Sequence, residues 1–373
     1  MHKTTFSRVS ICLLILAPSA FTQQSKIDPG KRAALESAVT KYMAANHTPG
    51  ISVAVVENGE YEWSAGFGMA DLENSVPATS QTLYRLASVS KPITATAALL
   101  LWQQGKLDLD APVQKYCPSF PVKDVPITTR QVLGHLAGIR HYKSDSQDDP
   151  EVGNIKHFAD PIAGGMQFFK DDALLSKPGT SFHYSTHGFT VAGCVVEGAS
   201  GAKYVDYVRE NVFRPAGMAH SQIDDRFALV PYRTRFYQKD QSGSVENADF
   251  LDSSYKIPGG GWLSSADDMA RFEVAILKDQ IVQRPTRDLM WTPLHPSDGK
   301  DDGYALGWGT GKDIGISNVG HSGGQQGTST YILLVPERQA GIVVLMNLEG
   351  GNASELGHDL MKIVLGAGIT ATP

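Results

Sequence analysis

Ser88-Val89-Ser90-Lys91-Pro92-Ile93-Thr94-Ala95-Thr96-Ala97-Ala98-Leu99-Leu100-Leu101 joins a Ser-x-x-Lys tetrad to an unusually apolar run that stops at Gly105. From Ser90 to Gln104 the residues predict a helix that is apolar around most of its circumference, and therefore buried. On a helix, positions i and i+3 share a face, so the amine of Lys91 can reach the hydroxyl of Ser88. A serine hydroxyl is a weak nucleophile until a base takes its proton, and a lysine desolvated by apolar walls can be that base. A serine at a helix N-terminus also has free amides and a positive dipole aimed at a developing oxyanion.

The same spacing recurs at Ser200/Lys203, Ser253/Lys256 and Ser297/Lys300, so the tetrad alone selects nothing. Context does. Ser297 and Lys300 sit in a Pro-Ser-Asp-Gly loop, and Ser200 follows a helix end between Gly198 and Gly201. Only Ser88 opens a long apolar helix that would bury its lysine and perturb the pKa.

Upstream, Pro29 and the spacing of Ala34, Leu35, Val39 and Tyr42 predict a helix over 29–46. Ile51 to Val56 reads as a strand, Asn58-Gly59 as a tight hairpin turn, and Tyr61 to Phe67 as the returning strand. From 111 to 299 the chain carries short helical segments, such as Thr128 to Leu136 and Ser265 to Leu277, between Gly-, Pro- and Asp-rich loops. Strand character returns near Ile316. Thr328 to Val335 and Gly341 to Met346 are predicted strands joined by Pro336-Glu337-Arg338-Gln339, and a last helix covers Ala353 to Leu365. The expected fold is α+β: one antiparallel sheet built from both ends of the chain (about 27–110 and 300–373), flanked by helices, with a mostly helical insertion over 111–299. No linker divides the 27–373 stretch into independently folding units.

Two further clusters matter. Tyr184-Ser185-Thr186 follows Lys177-Pro178-Gly179, about 95 residues after the tetrad, and His321-Ser322-Gly323 lies in the approach to the strand at Thr328. In this order the clusters resemble the motif set of class C β-lactamases, penicillin-binding DD-peptidases, related esterases and serine β-lactamase-like proteins, including the mitochondrial kind. Residues 127–138, Arg214-Pro215-Ala216-Gly217-Met218 and Gly259-Gly260-Gly261-Trp262-Leu263-Ser264-Ser265 look like the same family, and the likeness covers about residues 30–365. Asp252-Ser253-Ser254-Tyr255-Lys256 looks closest to the β-lactamase-like branch. The resemblance implies a β-lactamase/transpeptidase-like fold and a metal-free, cofactor-free hydrolase acting on a peptide, a small ester or, less efficiently, a β-lactam. It implies that Ser88 is acylated and that Lys91 takes or holds its proton. Tyr184, near two cations, would be general base and later acid, and the amides of Ser88 and Gly324 would form an oxyanion hole. His321 and Ser322 would contact the substrate, with Gly323 and Thr186 lining the same site. A catalytically weak penicillin-binding or assembly-forming module is the alternative, and oligomers or filaments stay open.

Two residues depart from the pattern. Thr186 stands where class C enzymes have Asn, and His321 where β-lactamases have Lys. The second replaces a permanent cation by a group that ordinarily titrates near neutrality, so a free substrate carboxylate held by His321 would lose its attraction as pH rises. Gly320-His321-Ser322-Gly323-Gly324 also fits the nucleophile elbow of α/β-hydrolases, but an elbow needs a following helix, and here a second strand follows. His135 reads as a structural hydrogen-bonder, and glycines 259–261 as a close backbone approach rather than a phosphate cradle.

Composition sets the frame. A formal net charge of −6 leaves no basic footprint for nucleic acid. Lys3 and Arg8, the apolar run Ile11 to Ala17 and the small residues Pro18-Ser19-Ala20 have the layout of a cleavable export signal over about 1–22. The run is far shorter than the roughly 20 residues of a membrane span, so a periplasmic or secreted protein is expected. Beyond the signal only Cys117 and Cys194 remain, which is no disulfide framework; Cys194 lies in an apolar helical run, where a thiol acts as a small hydrophobe.

Overall fold

The computed structural model describes residues 27–366, apart from 145, 147 and 313. The expected signal segment lies outside the described residues. Helix α1 (Pro29–Asn46) starts where predicted, with the Asp28 side chain accepting the Lys31 amide. Strands β1 (Gly50–Glu57) and β2 (Glu60–Asp71) form a hairpin. Asn58 and Gly59 both take positive φ, +55° and +74°, as a two-residue turn matching strand twist requires. After β3 (Val76–Pro77), the sheet resumes with β4 (Gly309–Gly311), β5 (Asn318–Gln325), β6 (Thr328–Val335) and β7 (Ala340–Met346). The order is β3-β2-β1-β7-β6-β5-β4, antiparallel throughout, so the two ends of the chain meet where β1 pairs with β7.

Strands β1, β6 and β7 are near-continuous apolar runs because both faces of the sheet are covered. Alternation splits them between two cores. Ile51, Val53 and Val55 face one side with Ile342, Val344 and Met346, against Leu35 and Val39 of α1 and Leu356, Leu360 and Val364 of the C-terminal helix. Ala54, Val56, Val343 and Leu345 face the other side, against helix α2 (Ser90–Gln103), helix α3 (Thr186–Ser200) and helix α4 (Ala266–Leu277). From Ser90 to Leu101 every residue of α2 is buried. The last helix, α5, spans Ala353–Leu365.

The insertion is less purely helical than expected. Tyr84–Arg85, Trp262–Ser264 and Gln222–Ile223 make a small three-stranded sheet, and Tyr237–Lys239 pairs with Val245–Asn247. The reading of the cysteines also needs correction. Cys117 and Cys194 form a disulfide with Cα atoms 5.3 Å apart, across 77 residues of sequence. Cys194 is buried, but it is half of a cross-link within the insertion, tying the segment at Cys117 to α3, rather than a free thiol. Among the described residues no helix is long and apolar enough to cross a membrane.

Candidate active site

A 3-10 turn, Ala87–Val89, leads into α2 and carries Ser88 at the surface end of the buried helix. Ala87 holds φ +47°, a left-handed conformation unfavourable for a residue with a Cβ, and this kink turns Ser88 outward. The turn is clamped from the sheet: the Thr330 hydroxyl donates to the Leu86 carbonyl at 2.8 Å across 244 residues of sequence. Gly323 backs directly onto it. A Cβ there would lie 2.4 Å from the Leu86 carbonyl oxygen and 3.1 Å from the Ser88 amide nitrogen, so only glycine lets β5 approach this closely.

Lys91 is fully buried. Its Nζ lies 2.9 Å from Ser88 Oγ, 2.9 Å from the Gly259 carbonyl oxygen and 3.2 Å from Thr186 Oγ1. No carboxylate is among these partners. Burial first, and the charge of Lys256 second, push its pKa well below the usual lysine value. A neutral amine fits this trio: it donates to the Gly259 carbonyl and to Thr186, leaving its lone pair for the Ser88 hydroxyl proton. The glycine triplet therefore makes a close backbone approach, as its sequence suggested, and Gly259 supplies one arm of the lysine cradle.

Tyr184 shares a side-chain hydrogen bond with Ser88, and its ring centroid lies 4.7 Å from Lys91 Nζ. Desolvation pushes the phenol's pKa up. The two cations expected to lower it are missing, since Lys91 is driven toward neutrality and His321 is driven down to about 3, by burial first and by Lys91 second. The resting Tyr184 is a protonated phenol poised against the Ser88 hydroxyl, not a phenolate.

His321 and Ser322 lie on a strand, β5, rather than in a loop leading to one. Alternation buries His321 and Gly323 while Ser322 and Gly324 face outward. Both imidazole nitrogens of His321 are engaged within the protein. Nδ1 donates to the Ser322 carbonyl at 2.6 Å, so Nε2 is the acceptor for the Tyr304 hydroxyl at 2.8 Å. The titration expected of His321 near neutral pH is moved out of that range, and a charged histidine is not available to a substrate carboxylate there. Ser322 on mid-strand also removes the strand-turn-helix geometry of an elbow. His135 accepts the Ser185 amide at 3.1 Å and packs its ring 4.4 Å from that of Tyr184, a supporting role as its sequence context suggested.

Two cavities meet at this cluster. One, about 350 Å³, is lined by Ser88, Thr186, Gly259, Gly324 and Lys256. The other, about 480 Å³, is lined by Tyr184, Tyr304, His321 and Ser322. Several residues of the first cavity went unassigned from sequence, and three of them line it with Thr186 and Ser88. His141 accepts the Thr186 amide at 3.3 Å, and Tyr142 hydrogen-bonds Thr186 and Tyr255. Lys256 is the third, present in the sequence within a repeated tetrad and within the family-like segment 252–256, but given no role there.

Comparison with known proteins places the fold among relatives. Residues 35–363 match the β-lactamase family model. The chain is 31% identical over 379 residues to the mitochondrial serine β-lactamase-like protein LACTB of Homo sapiens, covering 78% of this chain and 69% of that protein. The octameric penicillin-binding protein homologue of Pyrococcus abyssi superposes with a TM-score of 0.78 at 27% identity, over 91% of this chain and 78% of that one. A penicillin-binding protein of Bacillus halodurans shares the fold with a TM-score of 0.74 at 23% identity, over 89% of this chain and 99% of that one. With the family match and the superposition in place, the chain belongs to the β-lactamase family and is a serine hydrolase of the β-lactamase/transpeptidase fold.

Proposed function

We propose that this chain is an exported serine hydrolase that forms an acyl-enzyme at Ser88 and cleaves ester or amide bonds of small or peptidic substrates. One observation carries the reading: the amine of Lys91 is buried without a carboxylate, held toward neutrality, and 2.9 Å from Ser88 Oγ. Lys91 takes the Ser88 proton as Oγ attacks the substrate carbonyl, and the amides of Ser88 and Gly324 receive the oxyanion. Tyr184 then passes its phenol proton to the leaving group and is reprotonated by the Lys91 ammonium beside its ring. Water enters by the reverse sequence: its proton goes to the same pair, its oxygen attacks the acyl carbon, and Ser88 regains a proton as the acid departs.

Thr186 supplies a hydroxyl to Lys91 in place of the amide that would grip an acylamino side chain, so β-lactam turnover should be weak beside ester cleavage. The leader-like residues 1–22, followed by one hydrolase domain from about 27, support export, as does the Cys117–Cys194 bond, since disulfides persist in oxidising compartments. The test is fluorophosphonate labelling of the mature protein with mass-spectrometric mapping, alongside a panel of D- and L-aminoacyl peptides, p-nitrophenyl esters and nitrocefin. An adduct on Ser88 with ester or peptide turnover is expected; an adduct on Ser322, or none on any serine, overturns the proposal.

A further inference from the structure

Lys256 ends the 3-10 turn Ser253–Lys256 and is only 4% exposed. Its ammonium faces the rings of Tyr255 and Tyr142, 5.2 and 5.7 Å from their centroids. Among the described residues it has neither a carboxylate within ion-pair distance nor a hydrogen-bond acceptor. The acids around it are committed elsewhere. Asp224 is held by Arg85 at 2.7 Å and accepts from Ser253 at 3.3 Å. Glu349, half-buried, lines the same cavity and accepts the Gly327 amide at 3.1 Å. Burial first and Arg85 second push Lys256 down to about 7, while Asp224 and Glu349 pull the other way. The remaining neighbours, Lys91 and His141, are both driven toward their neutral forms and offer it no anion. The amine has no acceptor among the described residues and opens onto the cavity, so an anion delivered there would pair with a largely desolvated cation.

The position of this amine relative to the chemistry decides which part of a substrate could supply the anion. Lys256 lines the cavity shared by Ser88, Thr186 and Gly324, whereas Tyr184 lines the other. A leaving group protonated by Tyr184 departs on the Tyr184 side, so the Lys256 cavity receives the acyl portion. We propose that Lys256 is the specificity-determining anchor for a carboxylate on the acyl portion of the substrate, which makes short ω-carboxyacyl esters or amides the preferred class. The proposal rests on the reading of Ser88 as nucleophile and Tyr184 as acid. It also moves the anionic subsite away from His321, whose nitrogens are both occupied.

The experiment compares kcat/KM for p-nitrophenyl hydrogen succinate, glutarate and adipate with that for the matching neutral ω-amide esters, background hydrolysis subtracted. It is run on the unmodified protein and on Lys256→Met and Lys256→Arg. In the unmodified protein at pH 6.5 the best carboxylate ester should exceed its neutral partner. In Lys256→Met that ratio should fall by about 10- to 100-fold, the worth of a hydrogen bond to a charged group, and Lys256→Arg should retain most of it. The ratio should also decline as pH rises and Lys256 loses its proton. A ratio unchanged in Lys256→Met, or near unity in the unmodified protein at every chain length, overturns the anchor while leaving the nucleophile assignment standing. Calorimetry separates the two further, because it requires no chemistry. Glutaramate should bind the unmodified protein more tightly than glutaramide, and Lys256→Met should erase the difference. If no ester is cleaved and no serine is labelled, the acyl-enzyme reading fails, and the calorimetric comparison alone decides the anchor.

Discussion

Two Ser-x-x-Lys tetrads in this chain bury their lysines, and they do so to opposite effect. Lys91 is packed among three acceptors, one of them the hydroxyl of its own serine. Lys256 is packed against two aromatic faces, and its serine points elsewhere, Ser253 donating to Asp224. The spacing is identical; what differs is the element beneath it. A long buried helix sets Lys91 one turn along from Ser88, whereas the short turn 253–256 sends its serine and lysine to different neighbours. A desolvated amine with acceptors and a hydroxyl becomes a base, and one without them becomes a cation waiting for an anion.

The largest effect that could break this comparison comes from the serines. Ser88→Ala should abolish covalent labelling and lower ester turnover by roughly 10⁵-fold or more, as loss of a nucleophile does in other serine hydrolases. Ser253→Ala should leave Ser88 labelled at a normal rate. Labelling that survives Ser88→Ala would make the tetrads equivalent and sink the distinction.

Next in size are the proton carriers. Tyr184→Phe keeps the ring packed on His135 and removes the phenol, so kcat should fall by about 10²- to 10⁴-fold with little change in Tm. Because Lys91 must be unprotonated to act and its pKa is depressed, neutral-ester kcat/KM should rise from acid pH and level off below the ordinary lysine range. A pH profile that is still climbing through pH 10 would show that Lys91 is not neutral at rest.

The disulfide sharpens the comparison from the insertion side. Cys194 lies on α3, whose first residue, Thr186, is one of the three partners of Lys91. Replacing Cys117 and Cys194 together by Ala should cost about 2–4 kcal/mol of stability, read as a lower denaturant midpoint. Turnover per folded molecule should stay within a few-fold, because Lys91 is held by α2 and Gly259 as well.

The smallest effect comes from a buried group with no cavity to serve. Glu273 on α4 is fully buried, neither carboxyl oxygen has a hydrogen-bond partner among the described residues, and the space it fills is left by Gly341. Burial pushes its pKa well above the usual carboxylate range. The native state then holds a proton that the unfolded chain releases above about pH 4.3, so this group's contribution to stability falls as pH rises through neutrality. Glu273→Gln should flatten that decline and raise the neutral-pH stability by about 1–3 kcal/mol, read as a higher denaturant midpoint. An unchanged pH–stability curve would remove the contrast between an amine awaiting an anion and a carboxyl that is merely enclosed.

Much of this architecture is legible along the chain because local pattern and burial agree. The span of α1, the Asn58-Gly59 hairpin, the apolar α2, the pair β6 and β7 and the final helix all appear where periodicity puts them. Strand β5 is the instructive failure. Gly320, Gly323 and Gly324 lower its strand propensity, and the first two are there because β6 and the Ser88 turn press against them. The partners of His321 and Cys117 were illegible for a related reason. Tyr304 and Cys194 are brought to them by the fold, and no spacing rule reports which of many hydroxyls will arrive or whether two lone thiols will meet. Lys256 was visible but discounted, since a tetrad marks a base only when its helix holds both residues on one face.

The clamp between Thr330 and Leu86 also sets a schedule for synthesis. A chain emerging from the ribosome carries Ser88 and Lys91 early, yet the strand that pins their turn is made 244 residues later. Until β5 and β6 exist and pair back onto β1 through β7, the strained Ala87 has nothing to hold it in the left-handed region, and the amide of Gly324 has not yet been made. Nascent chains and C-terminally nicked fragments should therefore be inert toward active-site labels even when α2 has formed. Acquisition of label during translation or refolding would then report closure of the sheet rather than formation of the helix.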